Sequence, residues 1–109
     1  MHTDTAVAAL SALAHDHRLA VFRLLVQAGS AGMAAGAIAE KLRIATSSLS
    51  FHLAQLAQAG LVQQRREGRS IIYSADYAAM NGLMAFLTEN CCGGEGCLPA
   101  ATCNIEGAA

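Results

Sequence analysis

The fold of this chain is decided by the stretch IAEKLRIATSSLSFHLAQLAQAG, which occupies residues 38–60. Ile38 and Leu42 are four residues apart, as on one face of a short helix, and the tripeptide at 43–45 separates them from a longer apolar series. That series has the i, i+4, i+7 spacing of one buried helical stripe: Leu49, Leu53 and Leu56. The stretch therefore predicts a short helix, a tight turn and a longer helix.

A β-hairpin is predicted immediately after these helices. The sequence LVQQRREGRSIIYS at 61–74 contains two extended segments on either side of Glu67-Gly68-Arg69, a short turn with a glycine. The longer helix is predicted to begin at a cap formed by Thr46 or Ser47 and to end at Ala59-Gly60. Helix, turn, helix and hairpin in this order form the layout of a winged helix-turn-helix, whose second helix enters the major groove of DNA.

Polar and basic side chains occupy the positions that face DNA in such a layout. The longer helix offers hydroxyl, imidazole and amide groups on the face opposite its leucines, from Thr46, Ser47, Ser48, Ser50, His52 and Gln55. These groups can hydrogen-bond to bases or phosphates. The hairpin adds guanidinium groups suited to phosphates or to a narrow minor groove, from Arg65, Arg66 and Arg69. Each group alone is compatible with an ordinary solvated surface, but their ordered combination favours DNA binding.

Helices are also predicted on both sides of this unit. Residues 6–14 are rich in alanine and carry an apolar series at helical spacing, Val7, Leu10 and Leu13. Asp16 is predicted as the N-cap of a second helix, which ends in the loop at 27–30. The last helix is predicted over 76–89, with a stripe of Met80, Leu83, Met84 and Leu87. The predicted fold class is mainly α with a small β-hairpin.

Length and composition limit the classes of protein to which the chain can belong. Its 109 residues suit one domain, and 54% hydrophobic with 14% charged residues argue against disorder. No apolar run approaches the ~20 residues that span a bilayer, so no membrane partner is expected. The N-terminal residues 1–4 do not resemble the start of a secretory signal. A cytoplasmic protein is the resulting expectation.

The formal net charge of −1 hides an asymmetry along the chain. Residues 41–70 contain five basic side chains against Glu67 alone, a local net charge of +4. The rest of the chain has a net charge of −5. A basic segment on an acidic frame indicates one surface directed at a polyanion.

Cysteine is distributed just as unevenly. All four cysteines fall in the last 19 residues, at Cys91, Cys92, Cys97 and Cys103. We therefore predict a winged-helix domain over 1–90 and a flexible, cysteine-rich tail over 91–109. In a cytosolic chain such a cluster indicates metal or thiol chemistry before structural disulfides.

Several segments, in this order, resemble the ArsR/SmtB family of dimeric winged-helix metalloregulators. The resemblance covers roughly residues 6–90 and is carried by LAHDHRL at 13–19, IAEKL at 38–42, SLSFHL at 48–53, AGLV at 59–62 and RREGR at 65–69. It implies a homodimer formed through the first and last helices. It also implies that the wing and the helix at 46–58 contact a palindromic operator in double-stranded DNA.

The resemblance also implies a site for an inducer, the metal or metalloid ion that such regulators sense. Arsenic sensors of the family often carry a cysteine pair in the helix before the recognition helix, but residues 34–40 contain no thiol. Zinc and nickel sensors often use Asp and His from the last helix, and residues 76–90 contain Asp76 and Glu89 but no histidine. Some arsenic-responsive members carry an Asn-Cys-Cys…Cys pattern after the last helix, which the sequence from Asn90 to Cys97 resembles.

Thiolates select soft ions, and trivalent arsenic or antimony favours a pyramid of three sulfurs. We expect Cys91 and Cys92 to supply two of them across a bent backbone, and either Cys97 or Cys103 to supply the third. Three alternatives stay open at this stage. The four cysteines could bind zinc or cadmium, they could form a redox-sensing disulfide, or their clustering could be incidental.

The sequence thus predicts a repressor that binds operator DNA as an apo dimer, with no cofactor, and is released by As(III) or Sb(III). An enzyme is not expected, because neither a base to activate a cysteine nor a substrate pocket is recognisable. A metallochaperone that has lost DNA binding is the other class considered, and the intact arginine wing argues against it. His15 and His17 are interpreted as solvated or capping residues, and His52 is assigned to DNA.

Overall fold

The computed structural model describes residues 1–94 of the chain. Within that range the helices are α1 (Thr3–Leu13), α2 (Asp16–Ala28), α3 (Ala35–Leu42), α4 (Thr46–Gln58), α5 (Tyr77–Leu87) and the short turn α6 (Cys91–Gly94). The strands are β1 (Met33–Ala34), β2 (Val62–Glu67) and β3 (Ser70–Ala75). The predicted fold class, mainly α with a small sheet in a winged helix-turn-helix, is confirmed.

The sheet contains one strand that the sequence did not predict. Its order is β1-β3-β2, with both pairs antiparallel, and Met33 of β1 lies opposite Tyr73 of β3. The chain enters β1 through Gly32, which has a φ of 69°. A Cβ at this glycine would collide with the carbonyl oxygen of Tyr73, so only glycine allows β1 to pack this closely against the hairpin.

Two predicted helix caps are wrong by one residue or more. The N-cap of α2 is His15 rather than Asp16, and its side-chain Nδ1 accepts a hydrogen bond of 3.1 Å from the amide of His17. The residue before α4 is Ala45, which has no side chain that could cap, so neither Thr46 nor Ser47 has that role. Capping is decided by the backbone conformation at the helix start, which residue type alone does not reveal.

The core lies between α4 and the helices around it. Its largest fully buried side chains are Val21, Leu25, Ile38, Leu49, Leu53, Leu56 and Leu61. α1 packs through alanines at positions 6, 9 and 12, which are also buried. Consequently the larger side chains of α1, Val7 and Leu10, face outward and are 53% and 42% exposed.

Asp76 connects the wing to the last helix. Its Oδ1 accepts a hydrogen bond of 2.9 Å from the amide of Ala79, which caps α5, and its Oδ2 accepts one of 2.9 Å from the side chain of Gln63 on β2. Tyr77, the next residue, donates a hydrogen bond of 2.8 Å to the carbonyl oxygen of Val26 at the end of α2. These contacts fix α5 against both the wing and the core.

No helix within residues 1–94 combines the length and the apolar character needed to cross a bilayer. The predicted division into a domain over 1–90 and a tail over 91–109 stays a prediction, since most of that tail lies outside the described residues.

The double role of Asp76 leads to a prediction about stability and pH. Hydrogen bonds from the Ala79 amide and from Gln63 lower the pKa of Asp76 below its ordinary value. The carboxylate therefore contributes stability above the ordinary pKa, and that contribution is lost as the pH falls through the folded-state pKa. We expect Asp76→Ala to lower the free energy of unfolding by about 1 kcal/mol at pH 7.

Urea denaturation at a series of pH values measures this difference. It is expected to shrink below about pH 4, where an ordinary aspartate becomes protonated. The control is Asp76→Asn, which keeps an oxygen for the Ala79 amide and should be the less damaging change at pH 7. Equal stability of Asp76→Ala and the unmodified protein at pH 7 would contradict this role.

Candidate nucleic-acid interface and cysteine turn

The turn between α3 and α4 orients the longer helix. Arg43 adopts a left-handed conformation, with a φ of 57°, which reverses the chain after α3. The amide of the following Ile44 then donates a hydrogen bond of 3.1 Å to the carbonyl oxygen of Ala39, and the Ile44 side chain is buried. The helix-turn-helix is thus closed by backbone geometry and by one buried apolar side chain.

The exposed face of α4 carries most of the predicted DNA-binding residues. Thr46, Ser47, Ser48 and Ser50 are exposed, and Gln55 is half-buried. The hydroxyl of Ser50 donates a hydrogen bond of 3.0 Å to the carbonyl oxygen of Thr46, one turn earlier in the same helix. The three serines near the start of α4 lie where base edges are met in a helix-turn-helix.

His52 does not lie on this face, which corrects its predicted placement. It is buried, with 7% of its surface exposed, on the same side as Leu49, Leu53 and Leu56. The reason is helical geometry, because His52 follows Leu49 by three residues and precedes Leu56 by four. The spacing in the sequence alone places His52 beside these leucines, although its polar side chain favours the opposite face.

Phe51 has an outward position that the sequence did not predict. Its ring is 56% exposed, beside the serines of α4. The guanidinium of Arg18, from α2, lies 5.6 Å from the centre of this ring, and Arg18 Nε donates a hydrogen bond of 3.3 Å to Nδ1 of His52. Burial lowers the pKa of His52 below its ordinary value, and its neighbours His15, Arg18 and His17 act in the same direction.

The arginines of the wing differ in what they contact. The guanidinium of Arg65 donates hydrogen bonds to the carbonyl oxygens of Ser30 and Ala31, at 3.2 and 2.8 Å, and to the Glu67 carboxylate at 2.8 Å. These contacts attach the wing to the turn that precedes β1. The side chains of Arg66 and Arg69 are exposed and make no hydrogen bond or ion pair within residues 1–94.

The first two predicted cysteine ligands lie in a sharp bend after α5. Asn90, Cys92 and Gly93 all have positive φ, at 57°, 55° and 67°. In this bend the Sγ atoms of Cys91 and Cys92 are 3.6 Å apart. The amide of Cys91 donates a hydrogen bond of 2.9 Å to the carbonyl oxygen of Thr88, so the bend is joined to the end of α5. Cys97 and Cys103 lie outside the described residues.

Comparison with known proteins identifies the family. Residues 13–65 match a family model described as a helix-turn-helix domain. The nodulation protein NolR of Rhizobium meliloti is 37% identical over 90 residues, which cover 81% of this chain and 71% of NolR. Among solved structures, Mb0332 from Mycobacterium bovis, a possible ArsR-family transcriptional regulator with a homodimeric winged helix-turn-helix DNA-binding domain, is 31% identical with a TM-score of 0.63. That similarity covers 80% of this chain and 81% of the Mb0332 chain. This chain belongs to the ArsR/SmtB family of winged-helix transcriptional regulators.

A second solved structure with similarity to this chain is that of a possible transcriptional regulator for arsenical resistance, which is 29% identical with a TM-score of 0.63. It covers 72% of this chain and 78% of that protein. The family resemblance inferred from the sequence is therefore confirmed, and so is the prediction that the chain is not an enzyme. The DNA-binding and cysteine residues of this ArsR/SmtB member stay predictions at the level of individual side chains.

The two classes of wing arginine in this regulator predict different effects of substitution. We expect Arg66→Ala to weaken binding to DNA at all sequences and to reduce the slope of log K against log salt by about 1, because one phosphate contact is lost. Arg65→Ala should instead lower the free energy of unfolding, because it detaches the wing from the turn at 29–31. Fluorescence anisotropy with a duplex from the promoter of its own gene, at several salt concentrations, measures the slope.

Urea denaturation measures the free energy of unfolding of Arg65→Ala and Arg66→Ala. Arg66→Ala should unfold at the same urea concentration as the unmodified protein. A salt slope reduced as much by Arg65→Ala as by Arg66→Ala would contradict the distinction between an anchoring and a DNA-contacting arginine.

Proposed function

We propose that this protein is a homodimeric repressor that binds operator DNA without a bound ion. It is released when trivalent arsenic or antimony binds the cysteines that follow α5. The observation that carries this proposal is the bend at Asn90–Gly93, which brings two sulfurs together directly after the last helix of the fold. The chain would then contain both an operator-binding part, the winged helix-turn-helix, and an inducer site directly after α5.

The geometry of the bend suits two ligands of one soft ion. Around a tetrahedral zinc with Zn–S bonds near 2.3 Å, for example, neighbouring sulfurs are about 3.8 Å apart. The Sγ atoms of Cys91 and Cys92 are 3.6 Å apart. The third sulfur would come from Cys97 or Cys103. A three-sulfur set favours As(III) or Sb(III), and the likeness to a possible regulator of arsenical resistance supports the same choice.

Dimerisation through α1 and α5 is supported by the apolar side chains left exposed on them. Val7 and Leu10 of α1 are 53% and 42% exposed, and Met84 and Leu87 of α5 are 55% and 58% exposed. An apolar surface of this kind is typical of a protein–protein interface. The homodimeric domain of Mb0332 has the same fold, which supports a homodimer for this chain as well.

A path from the cysteines to DNA runs through α5. The bend is hydrogen-bonded to Thr88, the C-cap of α5, and Leu87 of the exposed apolar face is the residue before it. An ion that draws Cys91, Cys92 and a third sulfur together would reposition the end of α5 at the dimer interface. In a dimeric helix-turn-helix protein the two recognition helices must lie about 34 Å apart to enter successive major grooves, so a shift at that interface changes operator affinity.

The proposed dimer interface predicts the effect of a charge on α5. Met84→Glu would bury a carboxylate without a partner at the contact between protomers, which is unfavourable. We expect the dissociation constant of the dimer to rise by at least about tenfold. Sedimentation equilibrium measures the dissociation constant, and Ile71→Glu on the wing, an exposed apolar residue away from α1 and α5, is the matched control. Unchanged dimerisation in Met84→Glu would place the interface elsewhere.

The proposed inducer site predicts the response of DNA binding to metalloid. With the protein kept reduced, we expect arsenite or antimonite to weaken operator binding by about 5–150-fold, the range of ordinary allosteric coupling. Cys91→Ser should bind the operator normally and lose this response, because one of the three sulfurs is removed. Of Cys97→Ser and Cys103→Ser, the one that loses the response identifies the third ligand. Gel retardation with the promoter of its own gene is the measurement.

Glu89→Gln is the matched control for these variants, since Glu89 is exposed at the same end of α5 and carries no sulfur. Its response to metalloid should be unchanged. A Cys91→Ser variant that still releases DNA with arsenite or antimonite would refute the site. Release by zinc or cadmium alone, or by an oxidant alone, would establish one of the other cysteine-based functions in its place.

A further inference from the structure

Three histidines converge at the contact between α2 and α4, away from the cysteine bend. They are His15 and His17 at the start of α2 and His52 in the middle of α4. One ligand nitrogen of each lies within 4.8 Å of those of the other two, and no other group of three His, Cys, Asp or Glu in residues 1–94 is arranged in this way. The ring centre of His52 is 4.6 Å from that of His15 and 5.5 Å from that of His17.

We propose that His15, His17 and His52 form a binding site for a divalent transition-metal ion, for which Zn²⁺ is the probe. Three imidazoles with a fourth position open to water are a common ligand set for zinc. Imidazole is also a preferred ligand for copper and nickel, so the class of ion is set by the nitrogen donors. This site is independent of the proposed arsenic and antimony site, with which it shares no residue.

The burial of the three rings suits this role. His52 is buried and held by the packing of α4, whereas His15 and His17 are exposed, and the His15 ring would give up its capping hydrogen bond from the His17 amide on turning toward an ion. Nitrogens bound to one tetrahedral zinc at about 2.0–2.1 Å are about 3.3 Å apart. The three ligand nitrogens, which lie within 4.8 Å of one another, therefore need to approach by at most about 1.5 Å. A rigid ligand with two adjustable ones can close around an ion without disturbing the core.

The surroundings of His52 favour its neutral imidazole. They also include the hydrogen bonds that a bound ion would displace. Burial lowers the pKa of His52, which favours the neutral imidazole, the form that binds a metal ion. A neutral ring has one acceptor nitrogen, which in His52 is now bonded to Arg18 Nε and in His15 to the amide of His17. Binding of an ion therefore exchanges these hydrogen bonds for metal–nitrogen bonds. The side chain of Arg18 is released from His52 as a result.

The position of the site gives the ion a structural consequence. His52 belongs to the helix predicted to read DNA, whereas His15 is the N-cap of α2 and His17 lies in its first turn. An ion bound to all three joins these helices by coordinate bonds where one hydrogen bond, from Arg18 to His52, now joins them in this cluster. Because only the folded chain brings the three rings together, binding of the ion also raises the stability of the fold.

The test uses the full chain with all four cysteines replaced by serine, so that no thiol binds the probe. Titration calorimetry with Zn²⁺ is expected to give one ion per protomer, and Zn²⁺ should raise the melting temperature. In the same background, His15→Gln and His17→Gln should each weaken Zn²⁺ binding by at least about tenfold. Both residues are exposed, so these variants are expected to fold, which circular dichroism checks.

The matched control is His2→Gln, which removes an exposed histidine near the start of α1 and should leave Zn²⁺ binding unchanged. Three results would overturn the proposal: no one-to-one binding of Zn²⁺, binding that survives both His15→Gln and His17→Gln, or equal loss in His2→Gln. Since the thiols are absent throughout, none of these results bears on the cysteine site. Metalloid-induced release from DNA, measured with the cysteines present, tests that site separately.

Discussion

The buried stripe of α4 determines what the rest of the molecule can do. Leu49, Leu53 and Leu56 are almost completely inaccessible, and their burial fixes the rotation of the helix about its axis. That rotation directs the serines and Phe51 outward, toward the side on which a helix-turn-helix meets DNA. It also directs His52 inward, where Arg18 and the histidines of α2 surround it. One hydrophobic contact therefore sets both the predicted DNA-reading face and the histidine cluster.

The last helix joins the parts of the protein that the proposed function requires to communicate. Asp76 connects its first turn to the wing, Tyr77 connects it to α2, and Thr88 connects its end to the cysteine bend. Its outer face carries the exposed Met84 and Leu87. Under the proposed function, a change at the cysteine bend would reach the dimer interface through a helix of only three turns.

Much of the fold could be predicted because it depends on short-range periodicity. The leucine stripe of α4, the glycine-containing hairpin turn and the order of the helices are all visible within windows of a dozen residues. Features that depend on distant parts of the chain were not predictable. β1 has two residues and exists through pairing with β3, some 40 residues later. The sequence predicts Arg65 as a DNA contact, whereas in the structure its guanidinium donates hydrogen bonds to the carbonyl oxygens of Ser30 and Ala31. The inward position of His52 follows from its spacing from Leu49, whereas only the structure shows that His15 and His17 lie beside it.

Thermodynamic linkage provides the most direct test of the claim that the cysteine bend and the DNA-binding face are coupled. If metalloid weakens operator binding, operator DNA must weaken metalloid binding by the same factor. The measurement is the affinity of antimonite for the reduced dimer, determined once for the free protein and once for its complex with operator DNA. Coupling between the two sites predicts an affinity about 5–150-fold weaker in the complex, equal to the loss of operator affinity caused by antimonite. Equal antimonite affinities in the two states would contradict it.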